Sequence, residues 1–286
     1  MQAIGSTFTT IFVNPTVNVL SAIYHILLFV HVPSALGFAI ILLTILIRLI
    51  LYPFTLSQLK TSKKMQEIAP KLNKLKELHK NDAKKLQEET MKLYKEQGVN
   101  PAAGCLPLLI QLPLIWGLYS VLRSAVGSSP SAIVKFVNSV AYVPSLRLAT
   151  AWDPHFFGLP MAQTPSYLFT HGMFLIVLVP LLTAAFQFVQ SKMMIPEVKA
   201  EEAVKEAVQK KQGQLTKEVK REDDFQTAFQ TQSLYIFPIM IAFFSWSLAV
   251  GLSFYWNTFT IFGIIQQYQV QGWGSLPSLI KRKKNK

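Results

Sequence analysis

Residues 35–56 read ALGFAIILLTILIRLILYPFTL, and Arg48 is the only charged side chain in the stretch. A guanidinium keeps its proton at any biological pH, so this charge is permanent. At the centre of a helix in lipid it costs at least about 2.5–3.5 kcal/mol. All fifteen acids lie elsewhere: between Glu67 and Glu96, at Asp153, and between Glu197 and Asp224. No predicted span contains an Asp or Glu, so Arg48 calls for water, a lipid phosphate or an acidic group brought by a partner. Thr44 lies four residues earlier, one helical turn away on the same face.

The rest of the chain is apolar enough to match. It has 286 residues, 51% hydrophobic and only 15% charged, against about 25% charged in a typical soluble domain. Five stretches have roughly the 20 residues a helix needs to cross a bilayer: 34–56, 104–123, 172–191, 233–249 and 251–270. The last two nearly abut at Ala249–Gly251 and predict a tight hairpin. The reading is all-α: a polytopic membrane protein with a five-helix transmembrane bundle. Within 1–33, the apolar run 16–31 has Val17, Leu20, Tyr24, Leu27 and Leu28 at helical spacing and ends before Pro33. At 16 residues it predicts a helix lying in the interface.

Basic residues set the orientation. Eleven Lys or Arg fall in 57–103, eight in 192–232 and five in the tail from Lys281, so 24 of 28 are expected on one side. The loop 124–171 has two, Lys135 and Arg147, and residues 1–47 have none. The positive-inside rule then predicts an outer N-terminus and a cytoplasmic C-terminus. The N-terminus lacks the charged region of an ordinary signal peptide, and no lipid-attachment cysteine is present. Either a preceding segment is removed or the chain inserts without one.

The polar segments are patterned too. In 57–97, Met65, Ile68, Leu72, Leu75 and Leu78 follow helical spacing. Asn81–Asp82 offers a cap for a second run with Leu86, Met91 and Leu93. A cytoplasmic helical hairpin is expected, closed by the breaker GVNP at 98–101 and suited to anionic headgroups or a partner. Residues 131–143 predict a second interfacial helix within 124–171. The stretch 197–224 balances eight acids against seven bases and reads as a mobile, partly helical loop. The basic tail of 271–286 suits anionic lipid by default, and the same charge suggests ribosome contact. The net charge of +13 sits at span ends, so nucleic-acid specificity is not expected.

Catalytic chemistry is not in evidence. There is no GxxxxGK[ST] phosphate loop and no HExxH motif, and the five histidines lack ligand spacing to one another. No metal site or cofactor is expected. The single cysteine, Cys105, excludes an intrachain disulfide and reads as a packing residue. The spans hold neither a Ser–His pair nor a pair of Asp for intramembrane proteolysis, so the chain is not read as an enzyme. Gln111, Gln187, Gln190, Asn257, Gln266 and Gln267 are polar residues within spans. Interhelical glue is their ordinary role, but together with Arg48 they suggest a wet cavity.

Four stretches resemble the YidC/Oxa/Alb membrane protein insertases: TILIRLILYP (44–53), KMQEIAPK (64–71), LYKEQGVNPAAGCLPLLIQLP (93–113) and GLSFYWNTFTIFGIIQQ (251–267). The similarity runs from about residue 14 to 270 and is weakest over 124–171 and 192–232. Where the family often has Pro before the last Gly-Leu, this chain has Val250. No large periplasmic domain of the kind found in Gram-negative members is expected, as in the shorter Gram-positive or organellar type. The resemblance implies a hydrophilic groove open to the cytoplasm and to lipid and closed toward the outside. Arg48, Thr44, Gln187, Tyr255 and Trp256 would line it, with Gln111, Gln190 and Asn257 as further polar positions, and the hairpin would meet substrates first.

The expected function is insertion and chaperoning of newly made membrane proteins in a bacterial plasma membrane, without nucleotide hydrolysis. Expected partners are nascent membrane proteins with acidic outer tails, anionic lipids, the ribosome and the Sec translocon. The alternative from another class is a small-anion transporter with Arg48 as its binding charge. Five spans and no self-similar halves fit poorly with the repeats of transporters. A third reading is an assembly factor whose partner supplies the acid for Arg48.

Overall fold

The computed structural model describes residues 7–79, 82–98, 115–120, 122, 130–194, 223–274 and 276–277. Gln111, Cys105, most of the span expected at 104–123, most of the loop at 192–232 and the basic residues of the tail lie outside them. The chain is mostly helical and divides into two compact units. The first comprises Met1–Leu51, Pro107–Phe186 and Ile239–Phe262; the second comprises Tyr52–Leu106, Gln187–Pro238 and Gly263–Lys286.

The first unit is built on α1 (Asn14–Phe29) and α2 (Ala35–Ile50). A π-helical turn, Thr9–Val13, leads into α1. Together they form a 21-residue apolar helix, Thr9–Phe29. That length suffices to cross a bilayer, whereas the sequence pattern alone marks only 16–31. Val17, Leu20 and Tyr24 are buried. They pack with Leu36, Ala39, Ile40 and Leu43 of α2 in one core cluster. Lipid tails are as apolar as leucine, so burial alone does not drive such helices together; close packing and hydrogen bonds do. Asn18 supplies two, donating to Val140 O at 2.8 Å and accepting from Tyr142 N–H at 2.7 Å. Ser21 adds a third, to Leu146 O at 2.7 Å. These bonds tie α1 to the end of α5 (Pro130–Val140) and to the segment that follows it.

The all-helical expectation needs one correction. His155–Phe156 (β1) and Leu159–Pro160 (β2) form a short antiparallel ladder, with His155 opposite Pro160 and Phe156 opposite Leu159. Pro154, Gly158 and Pro160 are poor in a helix interior, and Gly158 takes φ +82° at the turn. Downstream come α6 (Pro165–Thr170), a 3-10 turn at Phe174–Val177, α7 (Leu178–Met193), α8 (Asp223–Ser247) and α9 (Val250–Gln271).

The start of α9 is pinned to this loop: Val250 N–H donates to Gln163 O at 2.9 Å and Gly251 N–H to Met161 O at 2.8 Å. A Cβ at Gly251 would press on Leu122 and on Met161 O, so glycine permits the close approach. Val250 uses its N–H to satisfy one of the first-turn donors that have no partner within the helix.

The second unit contains α3 (Tyr52–Leu78) and α4 (Ala83–Glu96). The expected first span, 34–56, is interrupted at Leu51. Pro53 lacks an N–H and its ring clashes with a carbonyl four residues back, so it fits only in the first turn of a new helix. Asp82 caps α4, its Oδ1 accepting from Lys85 N–H at 3.0 Å. Ile68 and Leu72 are buried. A cleft of about 290 Å³ between α3 and α4 is lined by Lys71, Lys74, Lys92, Leu75 and Leu93, among others. Gln271 Nε2 donates to Leu59 O at 2.8 Å, tying the end of α9 to α3.

Among the described residues, two helices are long and apolar enough to cross a membrane, Thr9–Phe29 and Phe174–Met193. A third is reached if α2 and Tyr52–Met65, separated at Leu51, make one broken span.

Candidate functional site

Arg48 lies near the C-terminal end of α2 in the first unit and is only 5% exposed. Its guanidinium lies over the Phe259 ring of α9, 3.4 Å from the centroid to Cζ. One terminal nitrogen donates to the main-chain oxygen of the same residue. Tyr255, one turn earlier, stacks on Phe259 with centroids 6.1 Å apart and planes at 27°. The Phe259 ring thus neighbours both the guanidinium and Tyr255. The sequence leaves water, a lipid phosphate or a partner's acidic group as companions for this cation; in the structure the groups that hold it include a carbonyl dipole and an aromatic face of its own chain. Neither carries a formal charge, so each eases burial without neutralising the side chain.

The other expected residues distribute unevenly. Thr44 is completely buried on the Arg48 face of α2, but its hydroxyl turns back to Ile40 O at 2.7 Å. Such back-bonding satisfies a hydroxyl inside an apolar helix. Tyr255 is 1% exposed, and Trp256 and Asn257 are half-buried. The buried Asn257 Oδ1 and the Thr260 hydroxyl accept or donate no hydrogen bond among the described residues. Gln187 (buried) and Gln190 (half-buried) belong to the second unit. Gln111 is outside the described residues.

Sequence reasoning missed Phe259. Its carbonyl is invisible in sequence, and the only signal was an aromatic residue four positions after Tyr255, on the same helix face. It also missed a line of hydroxyls. Ser245 of α8 lies 2.7 Å from Ser253 of α9 and 3.4 Å from Thr183 of α7, and all three are buried. Serine in an apolar helix is inconspicuous, yet small hydroxyl residues let helices approach closely and bond across the gap.

On the loop before β1, Asp153 Oδ1 accepts from His155 N–H at 3.0 Å and pairs with His155 Nδ1 at 2.8 Å. Partial burial pushes this carboxyl up, but the bonds from His155 outweigh it and hold the group below the usual carboxylate range. Among the described residues no group of three His, Cys, Asp or Glu is placed to hold a metal.

A mostly helical chain with two bilayer-length apolar helices among the described residues, and a charged side chain buried on a third, shorter apolar helix, defines an integral membrane protein. Residues 27–275 match the family described as 60Kd inner membrane protein, and the chain belongs to that family, the YidC/Oxa/Alb proteins. It is 32% identical over 239 residues to the membrane protein insertase YidC of Fusobacterium nucleatum, covering 84% of this chain and 87% of that one. It is 30% identical over 247 residues to YidC of Streptomyces avermitilis, covering 82% of this chain and 51% of the relative. With the chloroplastic inner membrane protein ALBINO3 of Arabidopsis thaliana it shares 30% identity over 254 residues, 86% of this chain and 48% of the relative. The chain thus spans most of the first relative and about half of the other two.

Proposed function

We propose that this protein is an insertase and chaperone for newly made membrane proteins, with Arg48 as the charge that receives them. Family membership and the relatives' names support insertion. The observation that carries the role of Arg48 is a permanent cation, 5% exposed, held by a carbonyl and a ring on α9. A carboxylate on an incoming tail competes for that guanidinium with a stronger, charge-assisted bond than a neutral carbonyl makes. Coulomb attraction at reduced dielectric adds to the preference. Tyr255 and Trp256 flank the site on α9. Thr44, Gln187, Gln190, Asn257 and Gln111 are the further polar positions of a groove that shortens the tail's path through hydrocarbon.

The client's apolar segment then slides into lipid, favoured by about 25 cal/mol per Å² of apolar surface removed from water. Nucleotide is not consumed. A membrane potential helps an acidic tail outward by about 2.3 kcal/mol per charge per 100 mV. Five spans with an outer N-terminus and a cytoplasmic C-terminus complete the reading. The α3/α4 hairpin lies on the cytoplasmic side, where it meets clients, lipid headgroups or the translation and Sec machinery.

The test is insertion of an acidic-tailed client into proteoliposomes. Arg48→Ala is expected to lower insertion at least about tenfold, equivalent to about 1.4 kcal/mol, while Arg48→Lys retains much of it. Wild-type insertion by Arg48→Ala would remove the charge mechanism.

A further inference from the structure

The β1–β2 turn carries an unusual aromatic. Phe157 has φ +49° and Gly158 φ +82°, so both central residues take the left-handed conformation. Glycine does this freely, whereas a bulky aromatic does so only under constraint. The constraints are visible: Phe157 N–H donates to Ser34 Oγ at 3.1 Å, at the foot of α2. Next to it the Phe156 ring packs so closely on Gly37 that a Cβ there would overlap it. Phe156 also meets Phe38 at 5.3 Å, Phe254 at 5.1 Å and Phe157 at 4.9 Å between centroids. Phe156 thus locks the hairpin onto α2, while Phe157 stays 70% exposed.

Phe157 stands at the end of an apolar stripe. Its ring is 6.0 Å from Phe38. From Phe38 the stripe runs down α2 through the exposed Leu42, Leu46 and Leu49, spaced by four, four and three residues on one face. On the other flank, two residues away, is the exposed polar pair Asp153–His155. An exposed aromatic ring between an exposed apolar stripe and a polar loop is placed to dip into the headgroup boundary, as Phe does on the apolar face of interfacial segments.

We infer that the Phe156–Phe157 turn is a lipid anchor that seats Phe157 in the headgroup boundary of the leaflet on its side, and through Gly37 fixes how deeply α2 lies. Continuity with the stripe argues for lipid as the occupant. Arg48 follows Gly37 by eleven residues, about 16 Å of helix, which sets it near the middle of a hydrocarbon core about 30 Å thick. The anchor thereby positions the proposed receiving charge.

The experiment uses the full chain with Cys105→Ser, reconstituted in phospholipid vesicles, with a nitroxide on Phe157→Cys, Asp153→Cys or Leu42→Cys. Collision with oxygen and with a water-soluble nickel chelate reads depth. The label at 157 is expected to favour oxygen and the one at 153 nickel. With the label at 42, Phe157→Trp is expected to keep the depth and Phe157→Asp to shift it by about 1.5–3 Å, one or two residue rises. Nickel access at 157 equal to that at 153 would overturn the anchor, as would shielding from both reagents, which indicates a protein partner. An unchanged depth at 42 in Phe157→Asp would overturn the positioning role. Neither reading involves insertion, so failure here is distinct from failure of the insertase assignment.

Discussion

Arg48 is the proposed receiving charge, and its neighbour Phe259 contacts it twice, through ring and carbonyl. Phe259→Leu keeps the carbonyl and removes the π face. Loss of the cation–π contact alone is expected to cost about 0.5–2 kcal/mol, read as lowered thermal stability in detergent. The same substitution made in an Arg48→Met protein is expected to cost less, because the coupling between the two positions is already gone. Equal losses in both backgrounds would mean that the ring acts by packing alone.

At the scale of elements, the start of α9 and the β1–β2 loop respond to different variables. Val250 is the first residue of α9, a position where proline's fixed φ is tolerated. Val250→Pro is therefore expected to lose the bond to Gln163 O, about 0.5–1.5 kcal/mol in equilibrium unfolding, and with it part of the packing of a fully buried side chain against Leu168 and Ile176. Asp153 titrates below the usual carboxylate range in the folded chain. Its contribution is complete above that range and is lost as the pH falls through the depressed folded value. The loop is expected to gain hydrogen exchange at acid pH, with the dependence abolished in Asp153→Asn. Both partners are more than half exposed, so the effect is confined to the loop and small.

For the whole molecule, charge asymmetry predicts sidedness. Single cysteines at Lys85 in α4 and at His155 in β1 are expected to react with an impermeant thiol reagent from opposite sides of a sealed membrane. Labelling of both from one side would remove the proposed orientation, and with it the direction in which an acidic tail is drawn.

Much of this chain is legible locally. Membrane character follows from transfer energies that add along the sequence, and Thr44 and Arg48 share a face because helical periodicity alone dictates it. The place of the Asp82 cap follows from the chemistry of an unpaired first turn. The tertiary structure alone decides what surrounds the arginine. The Phe259 carbonyl, the Phe156 ring on Gly37 and the Thr183–Ser245–Ser253 hydroxyl line join residues far apart in the chain. Such partners are chosen by packing in three dimensions, where a main-chain oxygen or a missing Cβ counts as much as any polar side chain. Sequence pattern records the need of a buried charge for a partner, and only the fold selects which group meets it.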